Sequence, residues 1–113
     1  MHNPKPTEEE TIMHANLRPG LTDANLSEIA LRFRILGEPL RLRLLYRLFG
    51  GECSVTDLAN QLGTTQPNVS KHLKVLLQAK LVQRRQQKNT AFYSVIDRSV
   101  FDLCASVVPG LAS

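Results

Sequence analysis

Only three residues, Gly63-Thr64-Thr65, separate two stretches whose apolar side chains recur at helical spacing. Upstream, Val55, Leu58, Ala59 and Leu62 form one stripe, opened by Ser54 with Asp57 three residues on, as in a capping box. Downstream, Val69, Leu73, Leu76 and Leu77 form a second stripe on a helix of about Gln66 to Ala79, with Thr65 placed to cap its first turn. Gly63 ends the first helix. Two short helices joined by a Gly-containing turn of this length make a helix-turn-helix.

The second of these helices divides its faces sharply. With Val69 at the origin of a helical wheel, Leu73, Leu76 and Leu77 fall within about 80° and mark the buried side. Pro67, Ser70, Lys71, Lys74 and Gln78 fall roughly 100–200° away, and His72 lies on the flank, roughly 60° from the stripe. The N-terminal half thus gathers Thr65, Gln66, Pro67, Asn68, Ser70, Lys71, His72 and Lys74. A helix that enters the major groove by its N-terminal end needs such groups. Gln bonds adenine N6 and N7 together, Ser and Thr donate or accept, and Lys reaches guanine or phosphate. Helix N-terminal N–H groups also favour a phosphate. His72 is read with this DNA-facing unit, through packing or a phosphate contact, and not as a metal ligand.

Around this unit the periodicity predicts a helix from Asp23 to Leu36 (Leu26, Ile29, Ala30, Phe33) and another from Pro39 to about Phe49, apolar on more than one face. Leu81–Gln87 and Thr90–Ile96 are strand-like and joined at Lys88-Asn89, with Asn89 best able to take positive φ. Phe92 and Tyr93 read as core or wing packing. Asp97 is a good N-cap for a last helix of about Arg98–Val108, stopped by Pro109-Gly110. The expected fold is therefore mainly α with a small β-hairpin, in the order α-α-α-α-β-β-α. Residues 1–20, with Pro4, Pro6, Pro19 and Gly20 and no periodicity, read as a flexible arm, and residues 21–113 as one domain.

Composition sets the partner class. The 113 residues, 42% hydrophobic, suit one small-cored domain, without the ~18-residue apolar run of a membrane span. Met1–Glu10 has no apolar h-region and carries Glu8-Glu9-Glu10, against a secretory signal. Two distant cysteines, Cys53 and Cys104, point to a cytoplasmic protein with reduced thiols. The net charge of +4 is concentrated: residues 61–90 hold Lys71, Lys74, Lys80, Arg84, Arg85 and Lys88 and no acid. Such a block attracts a polyanion or, more plainly, keeps a face solvated. Arg84, Arg85 and Lys88 on the hairpin suit phosphates or the minor groove beside the helix.

The segments "ILGEPLRLRLLYRL", "SVTDLANQLGTTQPNVSKHLKVLLQAKLV" and "RRQQKNTAFYSV" resemble the ArsR/SmtB family of winged helix-turn-helix repressors over about residues 26–105. The resemblance implies a homodimer joined through residues 23–36 and 98–108, bound to double-stranded DNA at an imperfect inverted repeat and released by an inducer. Gln66, Ser70 and Lys71 match positions that face the major groove. Two departures stand out. The wing tip usually carries Gly, where this chain has Gln87-Lys88-Asn89-Thr90. The Cys-Val-Cys segment of soft-metal sensors is matched by Ser54, Val55 and Thr56, and a further Cys by Ala59.

A second family metal site uses Asp and His on the last helix. Here Asp97 is present, but residues 98–113 hold no His. No metal site or cofactor is expected from one chain, and the inducer stays open. Cys53, beside Glu52 at a helix start, is a candidate sensor thiol with a pKa lowered by the helix N-terminus. Cys104 is a candidate sensor or a small apolar residue of the dimer stripe. Against the DNA regulator stands a winged-helix module that binds protein or RNA without reading DNA sequence. A thiol enzyme is a third class, disfavoured because neither Cys has a base with an orienting partner.

Overall fold

The computed structural model describes residues 21–108 together with Lys5 and Thr7. The expected arm over residues 1–20, those two apart, and the stop at Pro109-Gly110 lie outside the described residues. The chain divides into two units, residues 1–31 and 32–113, with the boundary inside the first helix.

That helix, α1 (Asp23–Leu36), starts where Thr22 Oγ1 accepts the Asn25 amide N–H at 3.2 Å. None of its residues is buried, and Leu26, Leu31 and Phe33 stay exposed. Next comes α2 (Pro39–Phe49), with proline in its first turn and the Glu38 carboxylate accepting the Leu40 N–H at 3.2 Å. Leu44, Leu45 and Leu48 bury one side of α2 completely. Leu40 is half-buried against the same core, whereas Leu42 and Tyr46 stay exposed and Phe49 is partly covered by Phe101.

The helix-turn-helix is α3 (Val55–Leu62) followed by α4 (Gln66–Gln78). Each has the expected cap: Ser54 Oγ accepts the Asp57 N–H, and Thr65 Oγ1 the Asn68 N–H, both at 3.2 Å. Gly63 closes α3 at φ 66°, a left-handed value open to glycine without a Cβ clash. The far end of α4 falls where expected, with Ala79 as its C-cap, but the residue that closes it was not legible. Lys80 takes φ 61°, its N–H donates to Leu77 O, and the Leu81 N–H donates to Leu76 O, each at 3.0 Å. This is a Schellman motif with lysine where glycine is usual.

The hairpin strands β2 (Val82–Gln87) and β3 (Thr90–Val95) pair antiparallel from Val82↔Val95 to Gln87↔Thr90. At its tip the expectation for Asn89 fails. Lys88 adopts the positive φ, 55°, and Asn89 does not. Positive φ at the first loop position alone is the sign pattern of a type II′ turn. A further strand, β1 (Cys53–Ser54), adds to β3 in the order β1-β3-β2, with Cys53↔Tyr93 and Ser54↔Phe92. The observed order is therefore α-α-β-α-α-β-β-α. A two-residue strand whose second residue is itself the cap of α3 carries no alternation, so β1 left no trace in the sequence pattern.

The last helix, α5 (Ser99–Ser106), is shorter than expected, and Arg98 occupies its cap position without a side-chain capping bond, its guanidinium donating instead to Phe49 O at 3.2 Å. Asp97 still does the capping work one residue earlier, accepting the Ser99 N–H at 2.9 Å and hydroxyl at 2.7 Å. Those two bonds hold its carboxyl below the usual aspartate range. The core joins Leu44, Leu45 and Leu48 to Leu58, Val69, Leu73 and Leu76, with Val82 and Tyr93 closing it from the sheet and Leu81 from the turn before β2. The recognition helix is thus seated by its own stripe, and Leu73→Ala costs on the order of 2–5 kcal/mol.

Candidate nucleic-acid interface

The wheel drawn from the sequence holds for most of α4. Val69, Leu73 and Leu76 are fully buried, whereas Gln66, Pro67, Ser70, Lys71 and Lys74 are exposed, as is the capping Thr65. Their side chains leave the helix on the side away from the core, so the amide, hydroxyl and ammonium groups converge on one outer face. Thr65 has a double duty, because its hydroxyl already accepts the Asn68 N–H. Asn68 is half-buried and its Nδ2 donates to Thr64 Oγ1 at 2.9 Å, which stitches the turn to the helix.

His72 departs from the set. It is only 8% exposed, and its Nδ1 accepts from Arg41 Nε at 3.2 Å. The same guanidinium donates through Nη1 to the Ile35 carbonyl, also at 3.2 Å. His72 therefore faces the interior, where Arg41 links α4 to the last turn of α1, and it does not join the outer face. The flank position on the wheel carried this ambiguity, and the packing of α2 resolves it.

The wing separates two neighbours that the sequence treats alike. Successive residues of a strand point to opposite sides of the sheet, so Arg84, opposite Tyr93, and Arg85, opposite Phe92, leave by different faces. Among the described residues the Arg84 guanidinium makes one hydrogen bond, from Nη2 to Gln86 Oε1 at 2.5 Å. Arg85 is held much more firmly. Its Nε and Nη2 donate to the two oxygens of Glu52 at 3.1 and 2.6 Å, Nη1 donates to Gln87 Oε1 at 2.8 Å, and its guanidinium stands 4.9 Å from the Phe92 ring centre. The Arg85 hydrogen bond holds the Glu52 carboxyl below its usual range, and Glu52 in turn raises Arg85. Glu52 has no motif around it, and recognising β1 was the condition for finding it. Lys88, at the tip, is exposed.

The candidate thiols lie elsewhere. Cys53 is 4% exposed inside β1, not on the first turn of a helix. Burial pushes its thiol up, with only a smaller opposing influence from Arg47, which corrects the expected lowering. Cys104 is half-buried on α5 and borders two apolar hollows of about 160 and 200 Å³, one against Tyr46 and Phe101, the other against Phe33 and Val107. Among the described residues no three His, Cys, Asp or Glu side chains gather as a metal-holding group, and no helix is long and apolar enough to cross a membrane.

A capped helix-turn-helix, a three-stranded wing and an outward polar face on the second helix define a winged-helix DNA-binding protein. Comparison with known proteins narrows the class. Residues 38–84 match the family described as bacterial regulatory protein, arsR family. The HTH-type transcriptional regulator KmtR of Mycobacterium tuberculosis is 35% identical over 97 residues, 85% of this chain and 75% of its own length. The biofilm growth-associated repressor of Xylella fastidiosa is 32% identical over 95 residues, 80% of this chain and 83% of its own. Among solved structures, the homodimeric winged helix-turn-helix DNA-binding domain Mb0332 of Mycobacterium bovis superimposes with a TM-score of 0.67 at 28% identity, covering 80% of this chain and 86% of that one. The chain belongs to the ArsR family and is a DNA-binding transcriptional regulator.

Proposed function

We propose that this regulator is a cytoplasmic homodimeric repressor, not an enzyme, that reads an imperfect inverted repeat through α4 and leaves it when an inducer binds. The observation that carries the reading is the outward face of α4. Gln66, Ser70 and Lys71 read base edges, Thr65, Pro67 and Lys74 flank them, and Arg84 and Lys88 of the wing meet phosphates. Asn68 supports the turn from within.

Dimerisation rests on α1 and α5. An isolated helix shorter than about 12–15 residues is marginal in water. With 14 residues, α1 fully buries none of them within the chain, and Ile35 and Leu36 of its last turn are partly packed on the core. Phe33 at 51% and Val107 at 69% exposure leave apolar surface that a second copy covers, in keeping with the homodimer named for the Mycobacterium bovis domain. Two-fold related recognition helices then meet half-sites about one DNA turn, ~34 Å, apart. Repression is supported by the repressors among its relatives.

Footprinting on the DNA upstream of the protein's own gene tests the reading. A protected inverted repeat is the expected result. Uniform protection without boundaries, or none at all, favours the protein- or RNA-binding module instead.

A further inference from the structure

We infer that Glu52 is a positioning residue of the DNA interface: its carboxylate fills the Arg85 fork as a phosphate would, so the wing offers one arginine to DNA, Arg84, and not two. This rests on the wing meeting the DNA backbone. A carboxylate and a phosphate present the same pair of oxygens to a guanidinium. Here the carboxylate already holds Nε and Nη2 at 3.1 and 2.6 Å, Gln87 holds Nη1 at 2.8 Å, and Phe92 lies 4.9 Å from the guanidinium. All three nitrogens of Arg85 are engaged, against one of Arg84.

A lone exposed ion pair is a weak restraint. This one is bidentate and stacked: Arg85 lies on β2, and Glu52 immediately precedes β1, the opposite outer strand of a sheet ordered β1-β3-β2. A phosphate that took Arg85 would release one carboxylate beside the DNA backbone, where its charge opposes binding. Arg85 therefore adds little to the count of neutralised phosphates, although the sequence counts it with Arg84 and Lys88.

The test is the salt dependence of affinity for a random-sequence duplex, since each neutralised phosphate adds about 0.9 to the slope of log K against log salt. Arg84→Ala lowers the slope by about 0.9, whereas removal of both members of the ion pair in Glu52→Gln/Arg85→Ala leaves it unchanged. Glu52→Gln frees Arg85, raising the slope by about 0.9 and the affinity about fivefold near 0.15 M salt. The gain disappears in the Glu52→Gln/Arg85→Ala pair. Thermal melting of each variant checks that the fold is kept. A Glu52→Gln/Arg85→Ala slope loss equal to that of Arg84→Ala overturns the proposal. So does a Glu52→Gln gain that survives in the double variant, because Glu52 would then act only as a repelling charge. A wild-type protein whose duplex binding ignores salt overturns the DNA reading itself, and this proposal with it.

Discussion

Lys80 shows how much one residue contributes when its backbone is unusual. A non-glycine residue held at φ 61° is strained by roughly 1–2 kcal/mol, since Cβ crowds the following carbonyl. Gly at position 80 relieves that strain and gives part back as unfolded-state entropy, so Lys80→Gly raises stability by about 0.5–1 kcal/mol in a urea titration. A decrease would mean that the lysine side chain stabilises the motif. Cys53 makes a second prediction at this scale. Its folded-state pKa lies above the ordinary thiol value of 9.0, so its contribution to stability is whole below pH 9.0 and is lost as pH rises through the raised value. Iodoacetamide at pH 8 should modify Cys53 in urea but not in the native protein. Equal rates in both states would restore the sensor-thiol reading for Cys53. Asp97 and Glu52 run the other way: their lowered carboxyl pKa values support the fold above about pH 4–4.5, and that support fades on acidification.

At the scale of the element, α4 depends on its cap as much as on its core stripe. Thr65→Ala removes the acceptor for the Asn68 N–H and should lower stability by about 1 kcal/mol, with a loss of DNA affinity that Thr65→Ser largely restores. Failure of serine to restore it would assign the threonine methyl, not the hydroxyl, as the important group. Helices were legible because capping and 3.6-residue spacing are local: Ser54, Thr65, Pro39 and Gly63 each act within one turn of themselves. What escaped was set by distant partners. The β1 strand exists because Tyr93 and Phe92 lie opposite it, and His72 points inward because Arg41 of another helix receives its ring. The hairpin tip was misassigned for a related reason. A positive-φ preference favours Asn over Lys, but the register ending at Gln87↔Thr90 puts Lys88 at the first loop position.

For the whole molecule, one chain leaves Leu26, Leu31 and Phe33 of α1 and Leu103 of α5 exposed, and the proposed dimer accounts for them. Phe33→Asp places a charge on that surface without touching the core, so the variant should sediment as a folded monomer and lose binding to a two-half-site duplex. A dimer that persists would move the interface elsewhere. The exposed polar face of α4 was legible almost in full, because exposed polar residues opposite a buried stripe follow from helical geometry. The sensing end was not, since Cys53 and Cys104 carry no spacing that names a ligand. The central claim, that Gln66, Ser70 and Lys71 read DNA sequence, is tested most directly by affinity for a duplex selected from a random pool, against a scrambled duplex of equal length at about 0.15 M salt. The account predicts a preference of ~10³ or more that collapses in Gln66→Ala/Lys71→Ala while scrambled-duplex binding changes little. Equal affinity of the wild-type protein for both duplexes would contradict it.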